Sequence, residues 1–272
     1  MRVTDYFERI GYVGEVRADI VTLSALCRAH LNAIPFENLD VQLQRPLTTD
    51  VSAAFDKIVR RRRGGWCYEM NGLFGWALGE IGFDVARVAG GVMREMAGDG
   101  QIGNHLCLVV QLDQAYLVDV GFGGSLRGPL PLTPIERDDG PYRVSLRELP
   151  DGHWRFAERA RGEPFSFDFQ VREADEALFE KKCAFLQSNP ASPFVQNLVV
   201  QRQTPDAHLI LRGRVLSTLR PSSFDKRLLE SGEELVGVLR NDFKLDAPEA
   251  GALWPAIVER HAALFPPAPA HP

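Results

Sequence analysis

The sequence predicts an α+β protein in three consecutive parts: helical, antiparallel β and mixed. Through the first 84 of the 272 residues, apolar residues recur at three- and four-residue intervals, which is the spacing of one helix face. From Val85 to about Phe169, short runs rich in Val, Leu, Phe and Tyr are separated by Asp-Gly turns, a pattern typical of antiparallel strands. We therefore expect three domains: a helical bundle over residues 1–84, a β-barrel or sandwich over 85–183, and a mixed segment over 184–272.

The helical part is predicted to contain three main helices. Val21–Leu31 and Val51–Arg60 show the helical spacing, with two proline breaks between them. A third apolar pattern follows Gly64-Gly65 and stops at Gly82, because glycine commonly ends a helix. Its apolar members are Trp66, Met70, Leu73, Phe74, Ala77, Leu78 and Ile81. Cys67 is therefore predicted to lie in the first turn of this helix.

The β and mixed parts contain further recognisable runs. Leu106–Val110 and Tyr116–Asp119 read as neighbouring strands of a hairpin. Later in the chain we expect strands at Leu198–Gln201 and His208–Leu211, and helices over Phe224–Leu239 and Trp254–Leu264. The Pro- and Ala-rich tail from Pro266 to Pro272 is expected to be disordered.

Composition and charge argue against a nucleic-acid partner. A formal charge of -5 with 45% hydrophobic residues is ordinary for a soluble protein. The dense cationic run Arg60–Arg63 lacks the wider basic field that nucleic-acid binding requires, so we interpret most of it as a solvated helix end. No nucleic-acid partner is expected.

The sequence also predicts where the chain resides. Its first eight residues mix charges of both signs, which does not fit a secretory signal. The longest clean apolar runs, such as Leu106–Val110, are far shorter than the roughly 20 residues of a membrane span. The four cysteines lack the paired spacings of zinc sites or disulfide frameworks. We expect a cytoplasmic protein with reduced thiols, no bound metal and no membrane span.

Cys67 is the candidate nucleophile. A thiol at a helix start lies among unpaired amide donors at the positive end of the helix dipole, which favours the thiolate. The preceding glycines allow a tight turn and close approach of another molecule to the sulfur. The alternative, a buried structural cysteine, is the preferred interpretation for Cys27, Cys107 and Cys183.

A cysteine nucleophile needs an imidazole to accept its proton and a third group to orient that imidazole. His105 begins one strand of the predicted hairpin, and Asp119 ends the other. An aspartate at the end of an apolar strand is costly to bury unless it is paired, and a histidine N–H is a suitable partner. His208 opens another strand and stays open as an alternative. Packing or surface roles are expected for His30, His153, His261 and His271.

The hairpin register makes this pairing testable. A spacing of fourteen residues centres the turn on Leu112, so His105 and Asp119 are predicted to face each other directly. This requires a loop of odd length, such as residues 111–113, since a two-residue loop would place the two side chains on opposite faces. The alternative is that Asp119 is an exposed charge at the hairpin end.

A glycine-rich turn, Gly121–Ser125, follows that aspartate. Its amides could hold phosphate or pantetheine oxygens, although many glycine clusters are only turns. It does not fit the dinucleotide fingerprint, and the chain contains no Gly-Lys-Ser/Thr phosphate loop.

Separated motifs resemble those of the arylamine N-acetyltransferases. They are Arg63-Gly64-Gly65-Trp66-Cys67-Tyr68-Glu69-Met70-Asn71, Ile34-Pro35-Phe36-Glu37-Asn38-Leu39, Tyr116-Leu117-Val118-Asp119-Val120-Gly121-Phe122-Gly123, the opening Tyr6–Tyr12, and Ser192-Pro193-Phe194. The motifs span the chain in the family's order.

The resemblance implies a helical bundle, a β-barrel and an α/β lid around a cysteine-protease-like core with a triad of Cys67, His105 and Asp119. It implies further roles by position: an ion pair of Glu37 and Arg63, an acceptor pocket lined by Phe36, Phe122 and Phe194, and coenzyme A contacts from Gly123, Gly124 and Ser125. Asn104 is a departure, because relatives usually carry a small hydroxyl residue before the histidine, and we keep it as a coenzyme A contact.

The function that follows is acetyl transfer from acetyl-CoA to an arylamine or arylhydrazine, by a ping-pong mechanism through acetyl-Cys67. An amide synthase of the same fold, acting on a carrier-bound polyketide, is the nearest alternative. A thiol peptidase or transglutaminase-like enzyme is the second, and a binding module without catalysis is the third. The oligomeric state is left open.

Overall fold

The structure is a computed structural model that describes residues 1–162 and 164–266. The tail predicted to be disordered lies, beyond Pro266, outside the described residues. The first part is helical as predicted, with one short strand. Its elements are α1 (Val3–Ile10), α2 (Ile20–Ala33), β1 (Phe36–Glu37), α3 (Leu39–Gln42), α4 (Val51–Phe55), a π-helical turn (Asp56–Arg60) and α5 (Cys67–Ile81).

Helix α5 is the centre of this part, and its predicted limits are confirmed. The Glu69 carboxylate accepts a hydrogen bond from the Trp66 amide at 3.2 Å, so one unpaired amide at the helix start has a partner. At the other end, Gly82 adopts a left-handed conformation with φ +100°, which glycine reaches without steric strain. Most of α5 is buried, so the helix supports the site from within the core.

The second part is one eight-stranded antiparallel sheet with the strand order β5-β4-β3-β2-β9-β8-β7-β6. Its strands are β2 (Asp84–Val92), β3 (His105–Gln111), β4 (Ala115–Val118), β5 (Leu130–Pro131), β6 (Ile135–Asp139), β7 (Tyr142–Glu148), β8 (Trp154–Arg159) and β9 (Phe165–Phe169), with a short helix α6 (Arg94–Ala97) after β2. One apolar cluster joins Leu130 near one edge to Leu146 near the other, so the sheet is curled. Among the described residues the edge strands β5 and β6 do not pair with each other.

The alternation of side chains on β3 joins the first two parts. Leu106 and Leu108 belong to the apolar cluster around α5, whereas Cys107 and Val109 belong to the cluster inside the curled sheet. His105 lies on the same face as Cys107, and its ring is 5.0 Å from that of Phe167 inside the sheet. His105, the first residue of β3, therefore lies on the inner face of the curled sheet, at the end of the strand.

The predicted hairpin register, with His105 directly opposite Asp119, is wrong: each residue pairs with a partner two positions further along β4 than predicted. In the structure Gln111 pairs with Ala115, and Leu108 pairs with Val118. The loop is Leu112–Gln114, closed by the Leu112 amide donating to the Gln114 carbonyl at 3.0 Å. The loop length is odd, as predicted, but its centre is Asp113 rather than Leu112.

The last part contains α7 (Glu176–Ser188), α8 (Pro193–Gln196), β10 (Val199–Gln203), β11 (His208–Arg212), β12 (Val215–Leu219), β13 (Phe224–Leu228), α9 (Gly232–Asn241), a 3-10 helix (Pro248–Leu253) and α10 (Trp254–Leu264). Its sheet has the order β1-β10-β11-β12-β13, so the helical part contributes an edge strand. The expected helix over Phe224–Leu239 is wrong in its first half, since Phe224–Leu228 pairs antiparallel with β12. Of the described helices, none has the length and apolar character of a membrane span.

Candidate active site

Cys67 is the first residue of α5 and is 3% exposed. The glycines before it are explained by the chain's own packing. A Cβ at Gly64 would lie 2.3 Å from the Pro35 carbonyl oxygen, and the Glu37 amide donates to the Gly65 carbonyl at 2.9 Å. The glycines therefore let the segment around β1 lie against the turn that leads into the nucleophile helix.

His105 and Asp119 lie together beside Cys67. The Nε2 atom of His105 is 2.5 Å from Oδ2 of Asp119, and both side chains are almost fully buried. Burial alone would lower the pKa of His105. The charge and hydrogen bond of Asp119, with smaller contributions from the neighbouring Cys67 side chain, outweigh it and raise that pKa to about 10. Because Asp119 takes Nε2, the ring nitrogen left for Cys67 is Nδ1.

The side chain of Asn71 holds Asp119 in place, a role that the sequence patterns did not predict. It lies one turn after Cys67 on α5, and its Nδ2 donates to Oδ1 of Asp119 at 2.8 Å and to the Leu106 carbonyl at 2.6 Å. Its Oδ1 accepts from the Val120 amide at 2.9 Å. The signal in the sequence was a polar residue four positions after the nucleophile in a mostly apolar helix.

The segment after β4 approaches the start of α5 very closely. A Cβ at Gly121 would lie 2.8 Å from the Cys67 Cα and 2.8 Å from Nδ2 of Asn71. The Gly121 amide also donates to Oδ1 of Asp119 at 2.8 Å. This glycine is therefore needed for the contact that joins the helix and the hairpin.

The three other cysteines are buried and free, as the sequence analysis predicted. Burial raises the pKa of Cys27 and of Cys107 well above the ordinary thiol range, and raises that of Cys183 to about 12. These thiols are protonated at neutral pH and belong to the core.

Two other buried histidines have structural partners. His208, which the sequence left open, bonds through Nδ1 to the hydroxyl of Tyr142. His30 lies 2.8 Å from the hydroxyl of Tyr6. Burial lowers the pKa of each of these histidines to about 3. Both rings are therefore neutral at physiological pH and pack within the core.

The three phenylalanines expected in an acceptor pocket fall into two groups. The rings of Phe36 and Phe194 are 6.2 Å apart, and Phe194 is also 5.6 Å from Trp66, the residue before the nucleophile. Phe122 belongs to a different apolar cluster, inside the curled sheet, with its ring 5.5 Å from that of His105. The first group therefore lies next to the residue before the cysteine, and Phe122 lies next to the histidine.

Phe165 is a second residue that the sequence analysis missed. Its ring stacks on Phe122 with centroids 5.0 Å apart and an interplanar angle of 16°. It is 46% exposed, which is unusual for a large apolar side chain beside a buried cluster. The alternating Phe165, Phe167 and Phe169 on one strand were the available signal.

The glycine turn after Phe122 rests on a buried carboxylate. The Ser125 amide donates to Oε2 of Glu158 at 2.6 Å, and the side chain of Gln203 bonds the Gly124 carbonyl. Ser125 and Gly124 are buried, whereas Gly123 is half-buried with φ +86°. The amide of Ser125 is therefore already occupied, and the carboxyl group of Glu158 lies behind the turn.

Glu158 itself has an unusual protonation equilibrium. Burial raises the pKa of its carboxyl to about 7, and the negative charge of Asp119 adds to that rise. The hydrogen bonds from Ser125 act in the opposite direction but are outweighed. Sequence spacing gave no indication of this group, since it is 33 residues from the turn it contacts.

Glu37 and Arg63 lie within a larger buried ion cluster. Oε1 of Glu37 accepts from Nη2 of Arg63 at 3.0 Å. Nearby, Nζ of Lys57 is 2.8 Å from Asp40 and 2.9 Å from Glu69. Burial lowers the pKa of Lys57, but the three carboxylates outweigh it and raise the pKa above the usual lysine range. The cluster therefore joins α3 through Asp40, the π-helical turn through Lys57 and α5 through Glu69.

Asn104 holds the start of the hairpin. Its Oδ1 accepts from the Val92 amide at 2.8 Å, and its Nδ2 donates to Oε1 of Gln101 at 2.7 Å. Within residues 1–162 and 164–266, no group of three or more His, Cys, Asp or Glu side chains has a metal-binding arrangement.

Comparison with known proteins gives a consistent match. A family model described as N-acetyltransferase matches residues 19–251. The arylamine N-acetyltransferase of Mycolicibacterium smegmatis is 38% identical over 258 residues, covering 90% of this chain and 92% of that protein. Arylamine N-acetyltransferase 1 of Homo sapiens is 32% identical over 296 residues, covering 97% of this chain and 99% of that protein.

The fold is shared as well. The structure of Mycobacterium marinum arylamine N-acetyltransferase in complex with CoA matches with a TM-score of 0.85 at 31% sequence identity. The match covers 95% of this chain and 98% of that chain. The similarity therefore extends over nearly the whole α+β architecture described above.

Proposed function

The chain belongs to the arylamine N-acetyltransferase family and is a transferase, and we propose that it acetylates the nitrogen of an arylamine or arylhydrazine through an acetyl-Cys67 intermediate. The acetyl donor is acetyl-CoA. The observation that carries the proposal is the buried 2.5 Å contact of His105 with Asp119, together with the interaction of the Cys67 side chain with the same imidazole. We propose these three residues as the catalytic triad of a cysteine-protease-like core.

In the first half-reaction, His105 accepts the proton of the Cys67 thiol at Nδ1. The thiolate attacks the carbonyl carbon of acetyl-CoA, and the new C–S bond to Cys67 replaces the bond to the CoA sulfur. The leaving CoA thiolate takes that proton from the His105 imidazolium, so CoA leaves as a thiol and the imidazole is neutral again. The amides at the start of α5, including that of Cys67, have no carbonyl acceptors within the helix and are suited to stabilise the tetrahedral oxyanion.

In the second half-reaction, the amine nitrogen attacks the carbonyl carbon of acetyl-Cys67. His105 accepts the N–H proton, the C–S bond breaks, and Cys67 leaves as the thiolate paired with the imidazolium. Asp119 holds the ring in one orientation and stabilises its positive charge, which fits the raised pKa of His105. Asn71 is proposed as a positioning residue because it bonds the free oxygen of that carboxylate.

We propose that the acceptor ring binds between the two phenylalanine groups. Phe36 and Phe194 flank the cysteine, whereas Phe122 flanks the histidine with Phe165 stacked at the exposed end. An aromatic amine is uncharged at neutral pH, so its ring packs against these side chains without the cost of desolvating a cation.

We propose that Gly123, Gly124, Ser125 and Asn104 contact the acyl donor. Because Glu158 stands behind the turn and occupies the Ser125 amide, the turn suits the uncharged pantetheine arm better than a phosphate. Gly123 is the half-buried member and is the one we expect to touch it first. We also propose that residues 1–84 act as a bundle, residues 85–183 as an open, barrel-like curled sheet and residues 184–272 as a lid. Residue 163 and the last six residues lie outside the described structure.

Steady-state kinetics test this proposal. With acetyl-CoA and an arylamine as varied substrates, double-reciprocal plots should give parallel lines, because CoA leaves before the amine reacts. Intersecting lines would contradict the acetyl-enzyme route. No turnover with free acetyl-CoA, but turnover with a carrier-bound acyl group, would instead favour an amide synthase.

A further inference from the structure

A concave pocket of about 420 Å³ lies outside the proposed active site, between α1, the end of α2 and the segments around residues 62 and 244. The charged residues that line it are mostly cationic. Four of the nine lining residues are Arg9, Arg62, Arg202 and Lys244, and the acidic one is Glu8. This positive concavity stands on a chain whose formal charge is -5.

Arg9 is buried in the floor of this pocket without an ionic partner. Its guanidinium donates to three main-chain carbonyls, those of Ile58 at 2.8 Å, Ala33 at 2.9 Å and Arg63 at 3.2 Å. Within the described ranges, no carboxylate lies in salt-bridge distance of it. A guanidinium has five N–H donors, so two remain after these bonds.

Arg202, another residue that lines the pocket, is held in a similar way. It donates to the Asn32 carbonyl through Nε at 3.2 Å and Nη2 at 3.0 Å, and to the Asp242 carbonyl through Nη1 at 3.0 Å. It too forms no salt bridge with a residue of the described part of the chain, although the Asp242 charge acts on it from a greater distance. Two partly buried cations thus have only neutral acceptors.

The electrostatics reflect this lack of anions. Burial, followed by the positive charge of Arg62, lowers the pKa of Arg9 to about 10. Burial also lowers the pKa of Arg202. A bound anion would offset the desolvation and the mutual repulsion of these groups. Arg62 and Lys244 also line the pocket and are exposed, so their side chains can move to contact such a ligand.

We propose that this pocket binds a phosphate group. A phosphate presents several strong acceptor oxygens to converging donors, and two guanidiniums held by carbonyls are oriented before the ligand arrives. The group comes either from inorganic phosphate or pyrophosphate or from the phosphates of coenzyme A. The pocket is next to the segment that leads to Cys67, because Arg9 donates to the carbonyl of Arg63.

Isothermal titration calorimetry of the whole chain with inorganic pyrophosphate, in low-salt buffer, tests the proposal. The pocket variant is Arg62→Asn with Lys244→Asn. Both positions have left-handed backbones, with φ +54° and +58°, which asparagine tolerates. The matched control, Arg147→Gln with Lys181→Gln, removes two positive charges from other exposed positions.

We expect saturable binding by the wild type and the control, and affinity at least about tenfold weaker in the pocket variant. Equal affinity in the two variants, or no saturable binding by the wild type, would overturn the proposal. Thermal melting without pyrophosphate checks that each variant is folded, and Lys244→Asn alone supplies the same comparison if the double variant is not.

A competition arm identifies the source of the phosphate. If coenzyme A displaces pyrophosphate and itself binds the pocket variant more weakly, the site holds a phosphate of coenzyme A. If both ligands bind the wild type together, and only pyrophosphate binding is weakened in the variant, the site holds a free phosphate. Either result supports a phosphate site.

Discussion

Oδ2 of Asp119 lies 2.5 Å from Nε2 of His105, although the two residues are not opposite each other in the hairpin. Extension of the observed register places Cys107 opposite Asp119, so the two side chains meet diagonally along one face of the sheet. The free oxygen of the carboxylate is held by Asn71 and by the Gly121 amide. The carboxylate is therefore held through both of its oxygens.

Asp119→Asn should abolish most activity while keeping the fold. An amide does not stabilise the imidazolium, so we expect kcat/KM to fall by roughly a thousandfold or more. The control is Asp113→Asn at the exposed tip of the same hairpin, which should retain activity. Comparable losses in both variants would show that the effect is a general weakening of the hairpin.

Asn71→Ala should affect both stability and catalysis. It removes one of the two partners of Oδ1 of Asp119 and the side-chain acceptor of the Val120 amide, both buried, so we expect a loss of about 2 kcal/mol or more in the free energy of unfolding. Urea denaturation measures this, and kcat should fall more than the KM for either substrate changes. Asn241→Ala, at an exposed helix end, is the control. Unchanged stability and kcat would contradict the positioning role.

Gly124→Ala should disturb the turn after Phe122. A Cβ at this position would lie 1.9 Å from Oε1 of Glu158, and that contact requires the turn or the carboxylate to move. We expect a lower melting temperature and a raised KM for acetyl-CoA. At Gly128 a Cβ would meet no atom within 4 Å, so Gly128→Ala is the matched control. Normal kinetics for Gly124→Ala would argue against donor contact at this turn.

Glu158→Gln should change how stability depends on pH. The pKa of Glu158 is raised from 4.5 to about 7 in the folded chain, so folding binds a proton. That contribution is complete below about pH 4.5 and is lost as the pH rises through about 7. Relative to the wild type, the glutamine variant should therefore gain stability between pH 5 and pH 8, by up to about 3 kcal/mol.

Denaturation at several pH values measures that gain, with Glu148→Gln, an exposed glutamate at the end of β7, as the control. A wild-type-to-variant difference that stays constant over this range would show that the carboxyl titrates normally.

Alternation along the hairpin was sufficient to place His105 and Asp119 on one face, but not to fix their register. Moving the loop centre from Leu112 to Asp113 shifts each partner by two residues, which leaves every side chain on its original face. The apolar pattern is therefore the same in both registers. The turn that decides between them depends on the hydrogen bond between Leu112 and Gln114.

Other features depend on contacts that no local pattern records. Phe224–Leu228 has a helix-compatible spacing, but pairing with β12 makes it a strand. Glu158 and Arg9 meet their partners only after the chain has folded, at separations of 24 residues or more. Helix α5, in contrast, was predictable because its glycine ends and apolar face are all local.

The most direct test of the acetyl-Cys67 intermediate is the intact mass of the protein after mixing with acetyl-CoA. The wild type should gain one acetyl group, about 42 Da, on Cys67, and lose it only when an arylamine is added. Cys67→Ala should gain none at that position and should not turn over. A wild type that stays unmodified during turnover, or a Cys67→Ala variant with full activity, would contradict the account.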